Sequence, residues 1–268
     1  MATTTGQSTG SAKLQGELWG ARAADWAEVQ EDQCRPLFQS VLQETVVRSG
    51  MSLLDIGCGA GRLCELSAKR GAKVTGVDAS AARIGIARTR TKSGDFRVGA
   101  IEDLPFADHC FDVVMAINSV QYADDPVRAL REARRVARPG APVVIATWGQ
   151  QHDCQAAVYL SALGALLPPA PRGAPGPFAL ASSGALEEFA QQAGLEPEET
   201  FDVDCPWEYR DLATALRGLL SAGPAVQAIR AVGEHLVRES VARSIAPFRT
   251  TLGMYRLSNR FHYLISRA

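Results

Sequence analysis

A glycine-rich turn between a predicted strand and a predicted helix carries the strongest chemical signal of the chain. Residues 53–61 read LLDIGCGAG, in which Gly57, Gly59 and Gly61 alternate with small residues. A carboxylate, Asp55, stands two positions ahead of the first glycine. Glycines let a ligand approach the backbone, and the N-terminus of the next helix presents free N–H groups with a partial positive charge. The turn is therefore typical of a site that binds a nucleotide-like ligand.

A second carboxylate, Asp78, ends the next predicted strand, VTGVD. A carboxylate at this place in an open α/β sheet can accept hydrogen bonds from both hydroxyls of a ribose, which favours a nucleoside without a 2′-phosphate. The dinucleotide fingerprint requires a glycine three residues after its second one, and this position is Arg62. Because Asp55 is acidic, the pattern suits a ligand with an ammonium group better than one with a pyrophosphate.

Alternating strands and helices must position these residues. Apolar runs separated by helical segments are typical of a parallel sheet covered on both faces. N-terminal to these alternating segments, residues 1–15 are expected to be a disordered tail. A helical pattern then runs from 16 to 48, and Pro36 can open a second helix within it. We predict strands at 51–56, 73–77, 111–117, 142–148, 200–205 and 260–266, and helices at 61–70, 80–91, 126–138, 183–193, 211–220 and 224–246.

Composition narrows the class of protein further. The chain has 268 residues, of which 46% are hydrophobic and 21% charged, and this balance excludes an extended disordered protein. Its net charge of −1 provides no general attraction to nucleic acid or to an anionic membrane. The six cysteines lack Cys-x-x-Cys spacing, so no metal site is predicted. With neither a signal peptide nor an apolar stretch long enough to span a bilayer, a cytoplasmic protein is expected.

Four blocks of the chain resemble the class I S-adenosylmethionine-dependent methyltransferases that act on small molecules. They are LLDIGCGAGR, VTGVDAS, GAIEDLPFADHCFDVVMAINSVQYADDP and ALREARRVARPGAPVVIATWG, and they cover about residues 51–149. The resemblance implies a Rossmann-like α/β fold whose seven-stranded sheet is mostly parallel, with an antiparallel last strand and a helical cap. It implies one domain with an N-terminal tail and cap helices at 1–49, a cofactor-binding core at 50–150, and substrate-cap helices with the C-terminal part of the sheet at 151–268.

The same resemblance implies the cofactor, S-adenosyl-L-methionine, with S-adenosyl-L-homocysteine as its product. Asp55 and the loop 57–61 are implied to hold the methionine part, and Asp78 the ribose. The cofactor-binding residues implied in this way are Trp26, Asp55, Gly57, Cys58, Gly59, Gly61, Asp78, Ala79, Arg83, Ala100, Ile101, Glu102 and Asn118.

The resemblance also implies which residues surround the adenine and the sulfonium of the cofactor. Ile101 and Glu102 would line the adenine pocket. The family often has Asp at the position of Ala100, so Glu102 or a backbone carbonyl would replace its contact with the adenine amino group. Asn118 would lie near the sulfonium. Trp26, with Trp19, either packs on the core or presents an aromatic face to that cation.

A general base is needed only when the acceptor must lose a proton. His152 is the first candidate, because it follows the predicted strand 142–148 and ligands of open α/β sheets bind at the carboxyl ends of strands. Tyr122 and His235 are the other candidates. His109 and His262 are expected to be structural or exposed.

The expected acceptor is a small, partly hydrophobic metabolite, placed in specialised metabolism, with oxygen, carbon and nitrogen open as the acceptor atom. The segment NSVQY after strand 111–117 lacks the Pro-Pro-aromatic turn of nucleic-acid amino methylases, and the chain has no basic cluster interleaved with aromatics. Nucleic acid is therefore not expected as a partner. A cyclase that uses the cofactor without methyl transfer and a non-catalytic cofactor-binding partner stay open. A nicotinamide-dependent dehydrogenase fits least, because a Tyr-x-x-x-Lys motif is absent.

Overall fold

The computed structural model describes residues 10–168 and 176–268. Of the predicted disordered tail, residues 1–9 lie outside the described part, and the prediction was wrong for the remainder because a helix begins at Gly10. The helices are α1 (Gly10–Gly20), α2 (Ala23–Asp25), α3 (Arg35–Glu44), α4 (Arg62–Lys69), α5 (Ala81–Arg90), α6 (Pro126–Val136), α7 (Ala156–Gly164), α8 (Ala185–Gln192), α9 (Leu212–Leu219), α10 (Gly223–Val232) and α11 (Glu234–Ile245). The strands are β1 (Ser52–Ile56), β2 (Lys73–Asp78), β3 (Asp95–Val98), β4 (Val113–Ile117), β5 (Pro142–Trp148), β6 (Glu196–Asp204), β7 (Trp207–Tyr209), β8 (Tyr255–Leu257) and β9 (Arg260–Arg267).

Seven of the strands form one sheet in the order β3-β2-β1-β4-β5-β9-β6. The first five strands of the chain are parallel, and β9 runs antiparallel between β5 and β6. This confirms the mostly parallel sheet with an antiparallel last strand. The chain builds outward from β1 to β3 and then crosses to β4 on the other side of β1. The crevice between the carboxyl ends of β1 and β4 is where ligands of such sheets bind.

Apolar residues cover both faces of this sheet. Successive strand residues point to opposite faces, so Leu53 and Met115 join one buried cluster while Leu54 and Val114 join the other. Helices α6 and α8 supply the second cluster, and α3, α4, α5, α7 and α9 to α11 supply the first. The helices after β5 therefore pack on the same core as the sheet.

Several local boundaries differ from the predicted ones. The predicted helix 224–246 is divided at Gly233, whose φ of +86° ends α10 before α11 begins. The predicted helical stretch 16–48 contains a π-helical turn at Trp26–Gln30 and a 3-10 turn at Glu31–Cys34. Helix α3 begins with Pro36 in its first turn, as predicted. Among the helices described for residues 10–168 and 176–268, none combines the length and the apolar composition that a bilayer crossing requires.

Candidate active site

The glycine loop after β1 has a backbone that other residues adopt only with strain. Gly57, Gly59 and Gly61 have φ values of +78°, +57° and +82°. A side chain at Gly57 would bring its Cβ within 2.3 Å of the Ser119 Cβ, and one at Gly59 would lie 2.9 Å from the Glu31 carboxylate. The loop is therefore held between the turn after β4 and a residue of the N-terminal segment. Only glycine fits at these two contacts.

Asp78 connects this loop to the start of α5. One carboxylate oxygen accepts a hydrogen bond from the Gly59 N–H (2.9 Å), and the other accepts from the Ser80 N–H (2.8 Å). A carboxylate offers about four acceptor positions, so each oxygen keeps one for a ligand. Asp78 is thus oriented by the chain with acceptor capacity to spare, as recognition of two ribose hydroxyls requires.

The Asp55 carboxyl group is buried with few polar partners to replace the water it loses. Its side chain is 3% exposed, and the partner that the described residues provide is the Cys64 thiol, whose sulfur lies 3.7 Å from Oδ2. Burial raises the pKa of Asp55 to about 8, repulsion from Glu31 and Asp78 adds to this, and the Cys64 thiol acts in the opposite direction. A cation bound beside Asp55 would favour its ionised form. The site therefore suits an ammonium group.

Glu31 belongs to the site although the sequence analysis did not identify it. One carboxylate oxygen accepts from the Ala60 N–H of the glycine loop (2.7 Å), and the other pairs with Arg90. Arg90 also donates to the carbonyls of Ala60 (2.8 Å) and Ala27 (3.1 Å). Burial raises the pKa of Glu31 despite the opposing charge of Arg90. These bonds fasten residues 10–34, which we call the N-terminal lid, onto the glycine loop.

Two tryptophans of the lid enclose Arg83. The guanidinium carbon lies 4.5 Å from the ring centroid of Trp19 and 4.4 Å from that of Trp26, within cation–π distance. Arg83 Nε donates to the Trp19 carbonyl (2.9 Å). Among the described residues, Arg83 Nη2 and Trp26 Nε1 are buried donors without a partner. The rings of Trp19 and Trp26 thus contact a cation of the chain itself, which differs from both predicted roles, packing on the core and facing the sulfonium. The two unpartnered donors are available to an anionic group.

An open cavity of about 1040 Å³ lies between the lid, the glycine loop and Asp78. Gly61 does not line it: this residue precedes α4, and a side chain there would approach Ala87. Of the residues predicted to bind the cofactor, those that line the cavity are Trp26, Asp55, Gly57, Cys58, Gly59, Asp78, Ala79, Arg83, Ala100, Ile101, Glu102 and Asn118.

The residues that the sequence analysis assigned to the adenine pocket lie on the wall of this cavity. Ala100 and Glu102 are both buried at the cavity wall. Glu102 accepts from the Asp124 N–H with one carboxylate oxygen (2.8 Å), so the chain holds this side chain in place. The arrangement gives Glu102 an oriented carboxylate next to the position where the family often has Asp.

A second cavity adjoins the first and, together with its solvent-open part, occupies about 1750 Å³. Aromatic and aliphatic side chains dominate its wall, and the Trp148 ring is stacked on Phe261 at 4.7 Å and contacts Trp207 at 5.5 Å. The sequence analysis assigned substrate-cap helices to residues 151–268, and much of the wall of this cavity comes from that segment. The residues that line both cavities are Trp19, Trp26, Cys34, Asn118 and Tyr122.

The candidate bases are separated by the fold. Tyr122 lies at the junction of the cavities, and burial raises its pKa to about 12, so it keeps its proton near neutral pH. His152 lies on a 3-10 turn at Gln151–Asp153, its side chain is 79% exposed, and it lines neither cavity. His152 is therefore not beside either cavity, where a general base would have to lie. His235 is also exposed and pairs with Glu239 on α11.

Comparison with known proteins agrees with this geometry. Residues 54–145 match a family model described as a methyltransferase domain. The chain is 33% identical over 153 residues to the ubiquinone biosynthesis O-methyltransferase of Ruegeria pomeroyi, covering 56% of this chain and 61% of that protein. It is 38% identical over 99 residues to the malonyl-[acyl-carrier protein] O-methyltransferase of Pectobacterium atrosepticum, covering 37% and 39%. The chain thus spans less than two thirds of the length of these relatives.

Solved structures show the same architecture. A SAM-dependent methyltransferase from Aquifex aeolicus aligns with a TM-score of 0.52 at 19% identity, over 69% of this chain and 92% of that one. The [4+2]-cyclase SpnF aligns with a TM-score of 0.58 at 19% identity, over 95% and 93%. At such identities the likeness concerns the fold alone. Residues 54–145 of this chain therefore form a methyltransferase domain, within a fold that the chain shares with these solved structures.

Proposed function

We propose that this protein transfers a methyl group from S-adenosylmethionine to a small, partly hydrophobic acceptor. One observation carries the proposal: the cavity that contains Asp78 and the glycine loop meets a second, apolar cavity at five shared residues. Adjacent cavities can hold a donor and an acceptor in line, and such positioning lowers a barrier by up to about 7–11 kcal/mol in the best intramolecular cases. When bound, the cofactor supplies a methyl group activated by its positive sulfur.

The side chains of the first cavity fit this cofactor. Asp78 would accept from the ribose hydroxyls, and Asp55 would pair with the ammonium group. The unpartnered donors of Arg83 and Trp26 match the carboxylate of the amino-acid part. Glu102 would face the adenine. Each assignment pairs a buried group of the chain with a cofactor group of opposite hydrogen-bonding character.

At the junction, the chain's contribution is positioning and exclusion of water. Tyr122 and Cys34 are the ionisable side chains that line both cavities, and burial raises the pKa of each, so both remain protonated. Trp19 and Trp26 of the lid line this junction. A dry, weakly polar site favours a step in which the positive charge of the donor disappears.

Oxygen is the acceptor atom we propose, because both relatives named above are O-methyltransferases. A metabolite of specialised metabolism, a cytoplasmic location and the absence of a nucleic-acid partner stay predictions from the sequence.

Calorimetric titration with S-adenosylhomocysteine and, separately, with NAD tests the cofactor site. We expect the wild-type protein to bind only the first ligand. Asp78→Ala should weaken that binding by about 1–3 kcal/mol, because charge-assisted hydrogen bonds are lost. Asp103→Ala removes an exposed carboxylate outside the cavity and should leave the affinity unchanged. Binding of NAD instead, or equal affinity in the Asp78 variant, would sink the assignment.

Mass spectrometry of reactions with S-adenosylmethionine and a panel of hydroxylated acceptors tests the transfer itself. We expect an acceptor to gain one methyl while the cofactor becomes S-adenosylhomocysteine. Acceptor turnover with intact cofactor would point to a non-methylating enzyme on this fold. Cofactor binding without any change in an acceptor would point to a non-catalytic protein.

The packing of α1 allows a test of the lid. A Cβ at Gly16 would lie 2.4 Å from the Ala79 carbonyl oxygen, beside Asp78. We therefore expect Gly16→Ala to displace α1 and weaken S-adenosylhomocysteine binding by about 1–3 kcal/mol, the usual cost of overpacking. Gly85→Ala on α5, where nothing lies within 4 Å, is the matched control and should retain the affinity. Equal calorimetric affinities in the two variants would show that α1 does not cover the site.

A further inference from the structure

The second cavity lacks charged groups along its described wall. None of the lining residues within 10–168 and 176–268 is Asp, Glu, Lys, Arg or His. Its polar side chains carry amides, hydroxyls, indole N–H groups or, at Cys34, a thiol, and several of them are bonded within the chain. Gln30 accepts from the Tyr209 hydroxyl (2.7 Å), the Tyr159 hydroxyl donates to the Leu219 carbonyl (2.7 Å), and Gln121 donates to Asn118.

Aromatic rings form one side of the same cavity. Trp148 is at the centre of this group: its ring is stacked on Phe261 at 4.7 Å and lies 5.5 Å from Trp207 and 5.7 Å from Phe178. Trp148, Trp207 and Phe261 line the cavity wall. Such rings form favourable stacked and edge contacts with the rings of a ligand.

Carboxyl groups predominate among the acidic and basic side chains that line the adjoining first cavity. Glu31, Asp55, Asp78 and Glu102 line it, with Arg83 as the cation among the described lining residues. Arg83 is already enclosed by Trp19 and Trp26. An anion in the second cavity would therefore meet no counter-charge among the described residues of its wall and an excess of carboxyl groups beyond the junction.

We propose that the second cavity selects an uncharged, ring-containing acceptor and rejects an anionic one. The inference rests on the proposed function, because it takes this cavity as the acceptor site. Burying an ion without a partner costs far more free energy than burying a neutral ring of the same size. Selection by charge then follows from the composition of the wall.

Two fluorescent probes with one ring system test the proposal. N-phenyl-1-naphthylamine is uncharged, and 8-anilinonaphthalene-1-sulfonate is the same molecule with a sulfonate. Titrated into protein saturated with S-adenosylhomocysteine at pH 7, the uncharged probe should bind at least about tenfold more tightly, because burying the sulfonate without a partner has a free-energy cost that the neutral ring system does not have. Equal binding of the two probes, no binding of the uncharged probe, or its binding only when S-adenosylhomocysteine is absent would each overturn the proposal.

A pair of variants on α7 assigns the probe to this cavity. Leu160 is partly buried and lines it, whereas Val158 on the same helix is 41% exposed and does not. Leu160→Lys should reduce the preference for the uncharged probe at least fivefold, and Val158→Lys should leave it unchanged. Gln121→Lys, on the turn after β4, places a charge at the same wall and replaces Leu160→Lys if that variant does not fold. A preference for the uncharged probe that neither Leu160→Lys nor Gln121→Lys alters would contradict the proposed location.

Titration of the same protein with S-adenosylhomocysteine alone separates the two levels of inference. If this ligand binds but the probes do not discriminate, the acceptor proposal fails and the cofactor site stands. If S-adenosylhomocysteine does not bind, the proposed function itself fails.

Discussion

Arg90→Ala should lower the free energy of unfolding by about 3–5 kcal/mol, because it leaves a buried carboxylate without its counter-charge. The side chains of Glu31 and Arg90 are only 6% and 15% exposed. Arg90 also donates to the carbonyls of Ala60 and Ala27, so its removal breaks bonds to both the glycine loop and the lid. Urea unfolding followed by tryptophan fluorescence measures the change.

Two further variants show whether the pair acts as a unit. Lys92→Ala removes an exposed positive charge just beyond α5 and should change stability by no more than about 0.5 kcal/mol. Glu31→Gln combined with Arg90→Ala should cost less than the sum of the two single changes, because the double variant no longer buries an unpaired charge. If Arg90→Ala behaves like Lys92→Ala, the lid is not fastened through this ion pair.

The affinity for S-adenosylhomocysteine should rise about tenfold for each pH unit between pH 5.5 and 7, because Asp55 must ionise before it can pair with an ammonium group. Burial, with repulsion from Glu31 and Asp78, places the pKa of Asp55 at about 8, so its ionised fraction increases throughout this range. Calorimetry at several pH values measures the slope. An affinity that stays constant across the range would exclude a contact between Asp55 and the ammonium group.

The same raised pKa has an opposite effect on the stability of the ligand-free protein. The folded state holds a proton on Asp55 that the unfolded chain releases at lower pH, so the contribution of this group is lost as pH rises from about 4 towards 8. Asp55→Asn removes the titration and is the control for both measurements. We expect this variant to bind weakly with no slope from this site, and to lack the corresponding decline in stability.

The residues at the ends of strands were predictable because local patterns determine them. The apolar runs of β1, β2 and β4 stop at Asp55, Asp78 and Asn118 or one residue from them, and parallel pairing then brings these ends to one edge of the sheet. The glycine turn needs only the left-handed backbone that glycine adopts readily. The mostly parallel seven-stranded sheet with its antiparallel last strand followed from these features and the family resemblance.

Glu31 could not be predicted, because nothing in EDQC distinguishes its carboxylate from that of Asp32. The π-helical turn at Trp26–Gln30 adds a residue to one turn and so shifts the side chains that follow around the helix. Only in the folded chain does Glu31 meet Ala60 and Arg90, which are 29 and 59 positions away.

The same limit applies to the acceptor side of the site. The contact of Arg83 with the Trp19 backbone spans 64 positions, and the second cavity joins the lid to α7, β7 and β9. His152 follows β5 as the sequence indicated, yet its 3-10 turn exposes it to solvent. Backbone conformation and hydrophobic periodicity are local properties, so the sequence alone predicts the strands and the glycine loop. Which side chains close over that loop depends on packing between distant segments, and this only the tertiary structure decides.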